Sequence, residues 1–421
     1  MKIAILKERR ANEARVAASP ETVKKLVALG ADVTVERGAG AGASYGDAAY
    51  EAAGATLAND AASAAAGAAV VLKVRRPSAE EAALLPRESV LVALLEPYKA
   101  GEELTRLASQ GVTAFALELV PRITRAQAMD VLSSQANLAG YKAVLDGAAV
   151  FGRAFPMMMT AAGTIPPARV LVMGAGVAGL QAIATARRLG AVVSATDVRP
   201  AAKEQVQSLG ASFVAVEDEE FKQAETTGGY AKEMSAEYKQ KQAALIAETI
   251  KKQDMVITTA LIPGRPAPRL IDEAMVKSMK PGSVIVDLAV ESGGNCALSE
   301  AGKVVEKHGV KIVGHANVPS RLAEDASALY ARNLFSFLGL IVDKETKALK
   351  FDWNDEILKA ACVMRDGQIV LPSLGGAPSV ARPVENAPVE NAPVENALVE
   401  KTLDGPKPAD GSSGAAGKSG A

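Results

Sequence analysis

A glycine-rich turn between an apolar strand and a helix-forming segment is the pattern in this sequence best suited to chemistry. Residues 170–179 read Val-Leu-Val-Met-Gly-Ala-Gly-Val-Ala-Gly and contain the spacing G-x-G-x-x-G. In this pattern Gly174 permits a tight turn, Gly176 lets a pyrophosphate approach the backbone, and Gly179 lets the helix pack on the strand. The amino end of the helix then presents N–H groups to the phosphates. We therefore expect a dinucleotide at this turn.

An acidic residue follows at the separation that ribose recognition requires. A second apolar strand, residues 192–196, ends at Asp197, eighteen residues beyond Gly179. A carboxylate there accepts hydrogen bonds from both ribose hydroxyls of NAD and repels the 2′-phosphate of NADP. Arg199 is the opposing feature, because an arginine near this place can accommodate that phosphate. On the charge of Asp197 we expect NAD(H) as the cofactor.

A second polar cluster lies ahead of a predicted helix. Within residues 121–133 the polar side chains include Arg122, Gln127, Asp130 and Ser133. From spacing alone, capping of the helix by Thr124, with charges on its surface, is the simpler interpretation.

Two series of short apolar strands alternate with helix-forming segments, which is typical of α/β domains with parallel sheets. The predicted strands are 3–5, 33–35, 70–74 and 90–94 in the first series, and 169–173, 192–196, 212–216, 254–258 and 283–287 in the second. The sequence Ser19-Pro20 predicts a helix start, and residues 124 to about 152 predict a long connecting helix. We expect two Rossmann-like domains, each a mostly parallel sheet with flanking helices, linked by long helices.

Two segments depart from this alternation. Residues 217–238 are longer than the usual connection of about 2 to 6 residues, and we interpret them as a mobile functional loop. The last 43 residues contain the repeat Pro-Val-Glu-Asn-Ala over 383–397 and cannot bury a core. They are predicted to be a flexible tail, and a dispensable extension and a tether to a partner both remain open.

Charge and composition exclude several function classes. The 47 basic and 48 acidic residues give a net charge of -1, which favours neither nucleic acid nor anionic lipid as a partner. Two cysteines and two histidines argue against a disulfide framework and a structural zinc site, and they fit a reducing compartment. The first apolar run is too short for a signal peptide, and the apolar run at 334–342 is too short to cross a bilayer.

Several longer motifs resemble one known family. They are Lys7-Glu-Arg-Arg, Arg15-Val-Ala-Ala-Ser-Pro20, residues 121–130 and residues 258–268. Over residues 1 to about 375 the chain resembles the first, NAD(H)-binding component of the alpha subunit of bacterial proton-translocating NAD(P) transhydrogenase. The resemblance implies a discontinuous first domain at 1–128 and 320–378, an NAD(H)-binding Rossmann domain at 129–319, and a tail at 379–421.

The resemblance also implies which residues contact the nucleotide. Arg122, Gln127, Asp130 and Ser133 match positions at the nicotinamide end, which we take as the catalytic segment. Val177, Ala178 and Gly179 match the pyrophosphate contacts, and Asp197, Val198 and Arg199 match the adenosine ribose contacts. The family's mobile loop matches residues 228–234, and further contacts are implied at Gly229, Tyr230, Gln242 and Leu261.

The activity implied is hydride transfer between NAD(H) on this chain and NADP(H) on a partner subunit, coupled to proton movement across the membrane. Such a protein is a proton-translocating transhydrogenase of the Si-specific or Re/Si-specific class, active only with its partners. The implied partners are a second copy in a homodimer, a membrane-spanning proton-channel subunit and an NADP(H)-binding beta subunit, and nucleic acid is not expected. The expected location is cytoplasmic, peripheral on the inner face of the membrane.

Two alternative functions are an alanine dehydrogenase-like enzyme and an NAD-binding scaffold. Alanine dehydrogenase resembles this chain in its two-domain plan and uses an arginine, a lysine and a histidine in its substrate pocket. Arg15 and Lys73 match the first two, but residues 92–97 hold no histidine. Without a positioned acid or base, reductive amination should slow by about 10² to 10⁴. We expect Arg15 and Lys73 to form ion pairs under the domain interface, and we assign no catalytic role to His315.

Overall fold

The computed structural model describes residues 1–222, 235–262, 265–343 and 345–371. All of them lie in one compact unit, Met1–Asn386. Gly229 and Tyr230, the predicted mobile segment 228–234 and the predicted tail at 379–421 lie outside the described residues.

The first stretch of chain forms a parallel sheet with helices on both faces. Its strands are β1 (Lys2–Ile5), β2 (Asp32–Glu36), β3 (Thr56–Ala58), β4 (Val70–Arg75), β5 (Val90–Leu94) and β6 (Thr113–Ala116). Its helices are α1 (Pro20–Ala28), α2 (Asp47–Ala52), α3 (Ala61–Ala65), α4 (Ala79–Ala83) and α5 (Gly101–Ser109). The predicted start of α1 is confirmed, because Ser19 accepts a hydrogen bond from the Thr22 backbone and Pro20 is the first helical residue.

A long helix and a hairpin follow. Helix α6 (Val131–Val150) is preceded by a 3₁₀ helix at Thr124–Met129. Strands β7 (Met158–Thr160) and β8 (Gly163–Ile165) form an antiparallel pair, all of whose residues are exposed. The predicted helix from residue 124 was therefore wrong at its start, because the first six residues take the tighter 3₁₀ path and Asp130 caps the α-helix instead.

The second sheet has the strands predicted for it and two more. Its strands are β9 (Arg169–Met173), β10 (Val192–Thr196), β11 (Ser212–Phe213), β12 (Met255–Thr258), β13 (Val284–Asp287), β14 (Lys303–Lys307) and β15 (Val310–Gly314). Its helices are α7 (Val177–Arg188), α8 (Ala202–Ser208), α9 (Glu219–Lys222), α10 (Ala236–Ile250) and α11 (Glu273–Ser278). Three strands differ from prediction: β11 ends at Phe213 instead of residue 216, and β12 and β13 each begin one residue later. Helices α9 and α10 also take up part of the predicted 217–238 loop.

The chain then returns to the first sheet. Helices α12 (Ala323–Leu338) and α13 (Glu356–Ala361) lead to the strands β16 (Cys362–Arg365) and β17 (Gln368–Ile369). Strand β16 pairs antiparallel with β6, and β17 pairs antiparallel with β16. Helix α12 packs along α6: Ser134 Oγ lies 2.7 Å from Asn333 Oδ1, and Gln135 donates to the Ala326 carbonyl at 3.1 Å.

The first five strands of each sheet have the same doubly wound order. Among the described residues the strands run β17-β16-β6-β5-β4-β1-β2-β3 in the first sheet and β11-β10-β9-β12-β13-β15-β14 in the second. Apart from the antiparallel strands β14, β16 and β17, neighbouring strands of the two sheets are parallel. The predicted pair of Rossmann-like α/β domains is confirmed. In each sheet the strand order reverses beside the first strand of the series, at β1 and at β9, and ligands of such sheets bind at the carboxyl ends of the strands there.

Apolar side chains cover both faces of each sheet. In the second sheet, Val170 and Val172 of β9 face one buried cluster while Leu171 and Met173 face another, as the alternation of side chains along a strand requires. Within the described residues, no helix combines the length and apolarity needed to cross a bilayer.

Candidate functional site

The glycine-rich turn lies at the carboxyl end of β9, where the strand order reverses. Gly174 has φ +106°, and a Cβ built on it would lie 2.5 Å from Thr259 Oγ1. A Cβ on Gly179 would lie 1.8 Å from the Gly174 carbonyl oxygen, so only glycine lets α7 start this close to β9. The tasks of tight turn and close packing predicted for Gly174 and Gly179 are confirmed. Gly176 faces open space, with no atom within 4 Å of an added Cβ.

Helix α7 presents an uncapped amino end at this turn. Gly176 is its N-cap and supplies no side-chain acceptor for the first N–H groups, while Val177 and Ala178 follow half-buried. The unfilled donors and the dipole of the twelve-residue helix favour an anion here. Helix α6 supports this end, because a Cβ on Gly140 would lie 2.0 Å from the Ala178 carbonyl oxygen. Sequence reasoning missed Gly140, whose only signal was a glycine inside a helical pattern.

Asp197 follows β10 and faces the glycine-rich turn. Its side chain is 7% exposed, and its Oδ2 accepts a hydrogen bond from the Ala175 N–H at 2.7 Å. Arg199 donates to the same carboxylate through its backbone N–H at 2.9 Å, Nε at 2.9 Å and a terminal nitrogen at 3.0 Å. These hydrogen bonds, opposed by burial and aided by the charge of Asp197, raise the pKa of Arg199. Val198 between them is 70% exposed.

Gln242 of α10 joins the ends of two strands beside Asp197. Its Nε2 donates to Thr196 Oγ1 at 3.1 Å, and its Oε1 accepts from the Val216 backbone at 2.8 Å. The structure therefore places Gln242 in contact with Thr196, the residue before Asp197, although Gln242 and Asp197 are far apart in sequence. In this position Gln242 orders the backbone that carries Asp197.

The loop after β12 lies on the other side of the turn. Leu261 is 54% exposed there, and Thr259 Oγ1 donates to the Gly174 carbonyl at 3.0 Å. Asn295, which is fully buried, holds the loop: its Oδ1 accepts from the Ala260 N–H at 3.1 Å and its Nδ2 donates to the Ala260 carbonyl at 2.9 Å. Sequence reasoning missed Asn295, since its position after Gly293-Gly294 carried no signal for a loop more than thirty residues earlier.

The second polar cluster lies at the start of α6. Asp130 is the N-cap: its carboxylate accepts from the Ser133 N–H at 2.8 Å and from Ser133 Oγ at 2.6 Å. Capping by Thr124 was therefore the wrong interpretation. Arg122 and Gln127 are exposed, and neither side chain has a hydrogen-bond partner among the residues that the structure describes. They are available to a ligand, whereas Asp130 and Ser133 are already paired with each other.

The geometry of α6 relates this cluster to the glycine-rich turn. Val131 begins the helix and Gly140 touches the amino end of α7, nine residues later. At 1.5 Å per residue the start of α6 lies about 13 Å along the helix from that contact. This separation is within the length of an extended dinucleotide, so one ligand can reach both.

A buried ion pair between Arg15 and Glu13 contacts helix α6. Arg15 is 3% exposed, donates to Glu13 at 2.7 and 2.8 Å, and donates to Gln135 of α6 at 2.8 Å. Asn317 donates to Glu13 at 2.9 Å from the other side. Burial opposes ionisation of Glu13, but hydrogen bonds and charge from Arg15, with the charge of Arg75, hold its pKa at about 2. The ion pair predicted for Arg15 is confirmed.

Lys73 is also paired, as predicted. Its side chain is fully buried and donates to Glu81 at 2.8 Å, with Glu8 at 3.6 Å. Burial raises the pKa of Glu8 to about 7 in spite of the charge of Lys73. Charged side chains thus fill the space at the carboxyl end of β1, whereas glycines follow the carboxyl end of β9.

A second buried carboxyl group lies at the end of the neighbouring strands. Glu118 Oε1 accepts from the Leu95 and Glu96 backbone N–H groups, at 2.8 and 2.5 Å, and its other oxygen is buried without a partner in the described residues. Burial raises the pKa of Glu118 to about 7. Across the described residues, no group of three potential ligands from His, Cys, Asp and Glu could hold a metal ion.

Comparisons with known proteins identify the family. The family model "Alanine dehydrogenase/PNT, N-terminal domain" matches residues 4–139, and "Alanine dehydrogenase/PNT, C-terminal domain" matches residues 143–372. The first component of NAD(P) transhydrogenase subunit alpha of Rhodospirillum rubrum is 62% identical over 381 residues, covering 89% of this chain and 99% of that protein. This chain belongs to the NAD(P) transhydrogenase alpha subunit family.

A solved structure supports the family fold at high identity. The transhydrogenase from Sinorhizobium meliloti matches with a TM-score of 0.80 and 58% identity, covering 88% of this chain and 100% of that one. Alanine dehydrogenase of Halomonas elongata is a more distant relative of this chain. The two are 31% identical over 386 residues, which cover 90% of this chain and 96% of that protein. The resemblance to the transhydrogenase alpha subunit that the motifs indicated is therefore confirmed. The chain is more similar to the transhydrogenases than to alanine dehydrogenase.

Proposed function

We propose that this chain is the NAD(H)-binding subunit of a proton-translocating transhydrogenase, and that it exchanges hydride with NADP(H) on a partner subunit. The observation that carries the proposal is the joining of the glycine-rich turn and Asp197 at the point where the second sheet reverses its strand order. The names of the most similar relatives agree with this assignment.

The residues at the turn fit a dinucleotide. The open space at Gly176 leaves room for a pyrophosphate, and the uncapped end of α7 at Val177 and Ala178 supplies donors for it. Asp197 suits a ribose diol, with Val198 and Arg199 beside it, and Gln242 and Leu261 flank the same pocket. We assign Gly229 and Tyr230 to the same site from the family resemblance alone.

The chain contributes position rather than acid or base. NAD(H), when bound, supplies or accepts the hydride. Arg122 and Gln127, which have no side-chain partners among the described residues, orient the nicotinamide end, and the Asp130–Ser133 pair fixes the start of α6 beside it. Holding reacting groups in the right geometry can by itself supply about 7 to 11 kcal/mol of a barrier.

The remaining reaction components belong to other chains. The name of the Rhodospirillum rubrum relative describes it as one component of a subunit alpha, which implies further subunits. We assign the proton channel and the NADP(H) site to them, and place this chain on the cytoplasmic face of the membrane. A homodimer is supported by the exposed apolar hairpin, on which Met157, Met158, Met159 and Ile165 are 61%, 45%, 78% and 40% exposed.

We divide the chain into a first domain of residues 1–128 and 320–378 and an NAD(H)-binding domain of residues 129–319. The pairing of β16 with β6 supports this division, because it returns the chain to the first sheet after the second sheet is complete. The Glu13–Arg15 and Arg15–Gln135 contacts support a boundary close to the start of α6.

The test is hydride transfer in a reconstituted complex. The purified chain is mixed with membrane and NADP(H)-binding subunits, and transfer from NADH to an NADP analogue is followed by stopped-flow absorbance. Transfer that requires both the chain and its partners is expected. NADH oxidation by the chain alone with pyruvate and ammonia would instead indicate an amino-acid dehydrogenase, and NADH binding without any transfer would indicate a scaffold.

A further inference from the structure

The carboxylate of Asp197 has no free acceptor position. A carboxylate offers about four lone-pair sites, two on each oxygen. Oδ1 accepts from the backbone N–H and Nε of Arg199, both at 2.9 Å. Oδ2 accepts from the Ala175 N–H at 2.7 Å and from a terminal nitrogen of Arg199 at 3.0 Å. A ribose diol can bind Asp197 only if some of these hydrogen bonds break.

Two of the four hydrogen bonds come from backbone N–H groups that are fixed in place, and the two from the Arg199 side chain can break. The backbone donors of Ala175 and Arg199 are held by the turn and by the loop after β10. The side-chain fork of Arg199 is attached through rotatable bonds and is 33% exposed. Within the described residues Asp197 is its one hydrogen-bonding or ion-pairing partner, so no second carboxylate holds the guanidinium in place.

The two displaceable hydrogen bonds match the two hydroxyl groups of a ribose. The fork donates one N–H to each carboxylate oxygen, and a vicinal diol donates one O–H to each. We propose that the Arg199 side chain occupies the ribose site when no nucleotide is bound. It breaks its hydrogen bonds to Asp197 when the diol binds, and this exchange sets the affinity for NAD(H). This inference rests on the proposed NAD(H) site.

The exchange also bears on cofactor choice. A 2′-phosphate carries no proton to donate in place of the 2′-hydroxyl, so it cannot take over the Arg199 hydrogen bond and instead meets the charge of Asp197. Arg199 therefore yields its place on Asp197 to a diol but not to a 2′-phosphate. The alternative, in which Arg199 serves only to hold a 2′-phosphate, predicts no gain in NADH affinity when Arg199 is removed.

The test is NADH titration of the full-length Arg199→Ala variant by fluorescence. Removal of the competitor should tighten NADH binding by about fivefold, the factor that corresponds to a net ion-pair contribution of about 1 kcal/mol. Lys203→Ala is the matched control, since Lys203 carries the same charge nearby but pairs with Glu217 at 2.6 Å. It should bind NADH no more tightly than the unmodified chain.

A ligand lacking one hydroxyl isolates the exchange. The gain from Arg199→Ala should be smaller with 2′-deoxy-NADH, which can fill only one of the two vacated acceptor positions. Unchanged or weaker NADH binding by Arg199→Ala would overturn the proposal, as would an equal gain with both ligands. Failure of the proposed function is a distinct result, because the unmodified chain would then not bind NADH.

Discussion

Asp197 is the residue to which we assign the largest share of the proposed nucleotide affinity. It is nearly buried, faces the glycine-rich turn and accepts hydrogen bonds from four donors. Gln127 is its opposite, since it is exposed and makes no side-chain hydrogen bond in the described residues. The first is expected to govern affinity and the second to govern the rate.

Replacing Asp197 with Ala should weaken NADH binding by about 30- to 5,000-fold, which corresponds to about 2 to 5 kcal/mol. Two charge-assisted hydrogen bonds to the ribose, each worth about 1.5 to 3 kcal/mol, are lost, and release of Arg199 offsets some of that loss. Fluorescence titration measures the change. Equal affinity of the unmodified chain for NADH and NADPH would contradict the role given to this carboxylate.

Changing Gln127 to Asn should slow hydride transfer by about 100-fold while NADH affinity changes little. The side chain is shortened by one methylene, and misplacement of a positioning group acts chiefly on the transition state. Stopped-flow transfer in the reconstituted complex, beside NADH titration, separates the two effects. Gln368→Asn, on the exposed edge strand β17, is the control. Equal losses of rate and affinity would make residue 127 a binding group.

Glu118 should make stability depend on pH. Its pKa is about 7 in the folded chain against 4.5 as its ordinary value, so the folded state holds the proton more tightly. Its contribution is therefore fully present below pH 4.5 and is lost as pH rises through about 7. Glu118→Gln should raise the free energy of unfolding by about 1 to 3 kcal/mol at pH 8 relative to its effect at pH 4.

Urea unfolding at the two pH values measures this difference. Glu102→Gln, an exposed substitution on α5, should show no such dependence. A pH-independent effect of Glu118→Gln would mean that the pKa of residue 118 is the same in the folded and unfolded chains.

The contact between α6 and α7 is the element pairing that most directly shapes the pocket. Gly140 lets the two helices approach closely, and Gly147 allows α6 to lie against Met255 and Val286 of the second sheet. The amino end of α7 is therefore packed directly against α6. The proposed phosphate site and the Asp130 cap lie on this one helix pair.

Gly140→Ala should destabilise the chain and weaken NADH binding together. Its Cβ would lie 2.0 Å from the Ala178 carbonyl oxygen, and overpacking of this kind costs typically about 1 to 3 kcal/mol. This exceeds the gain of about 1 kcal/mol in helix propensity. Urea unfolding and NADH titration measure both effects. Gly101→Ala, where an added Cβ meets nothing within 4 Å, is the control. A fully stable Gly140→Ala variant with normal affinity would refute the packing argument.

The whole molecule uses one sheet topology twice and gives the two copies different tasks. The carboxyl end of β9 is open and glycine-lined, while the carboxyl end of β1 is closed by Lys73, Glu81 and Glu8. Among the described residues, we propose a pyrophosphate site only in the second sheet, at the glycine-rich turn. The first sheet carries the polar segment before α6 and contributes the Arg15 contact to Gln135.

Met159→Glu should weaken the proposed homodimer. Met159 is 78% exposed near the tip of the β7–β8 hairpin, and a buried charge at an interface is costly without a partner. Sedimentation velocity should show a rise in the monomer fraction of the variant. Leu84→Glu, at an exposed position after α4, should leave the sedimentation unchanged. A dimer equally stable in both variants would exclude this hairpin from the interface.

Local pattern was sufficient for much of this molecule. Strands β5, β9 and β10 match the predicted bounds, because unbroken apolar runs between turns have one stable arrangement in a sheet buried on both faces. The glycine-rich turn was equally readable, since the close approach of Gly179 to the Gly174 carbonyl is a steric requirement between residues five apart. The family motifs, which are long and specific, led to the functional assignment.

Contacts distant in sequence were decided by the tertiary structure alone. Strand β16 joins β6 across more than two hundred residues, and Asn295 orders the loop at Ala260, because burial leaves their backbone groups no other partners. The hydrogen bonds between Asp197 and Arg199 were also decided by the tertiary structure. The sequence predicts that both residues lie beside the ribose, but only the positions of their atoms show that the Arg199 side chain already fills acceptor positions of the Asp197 carboxylate.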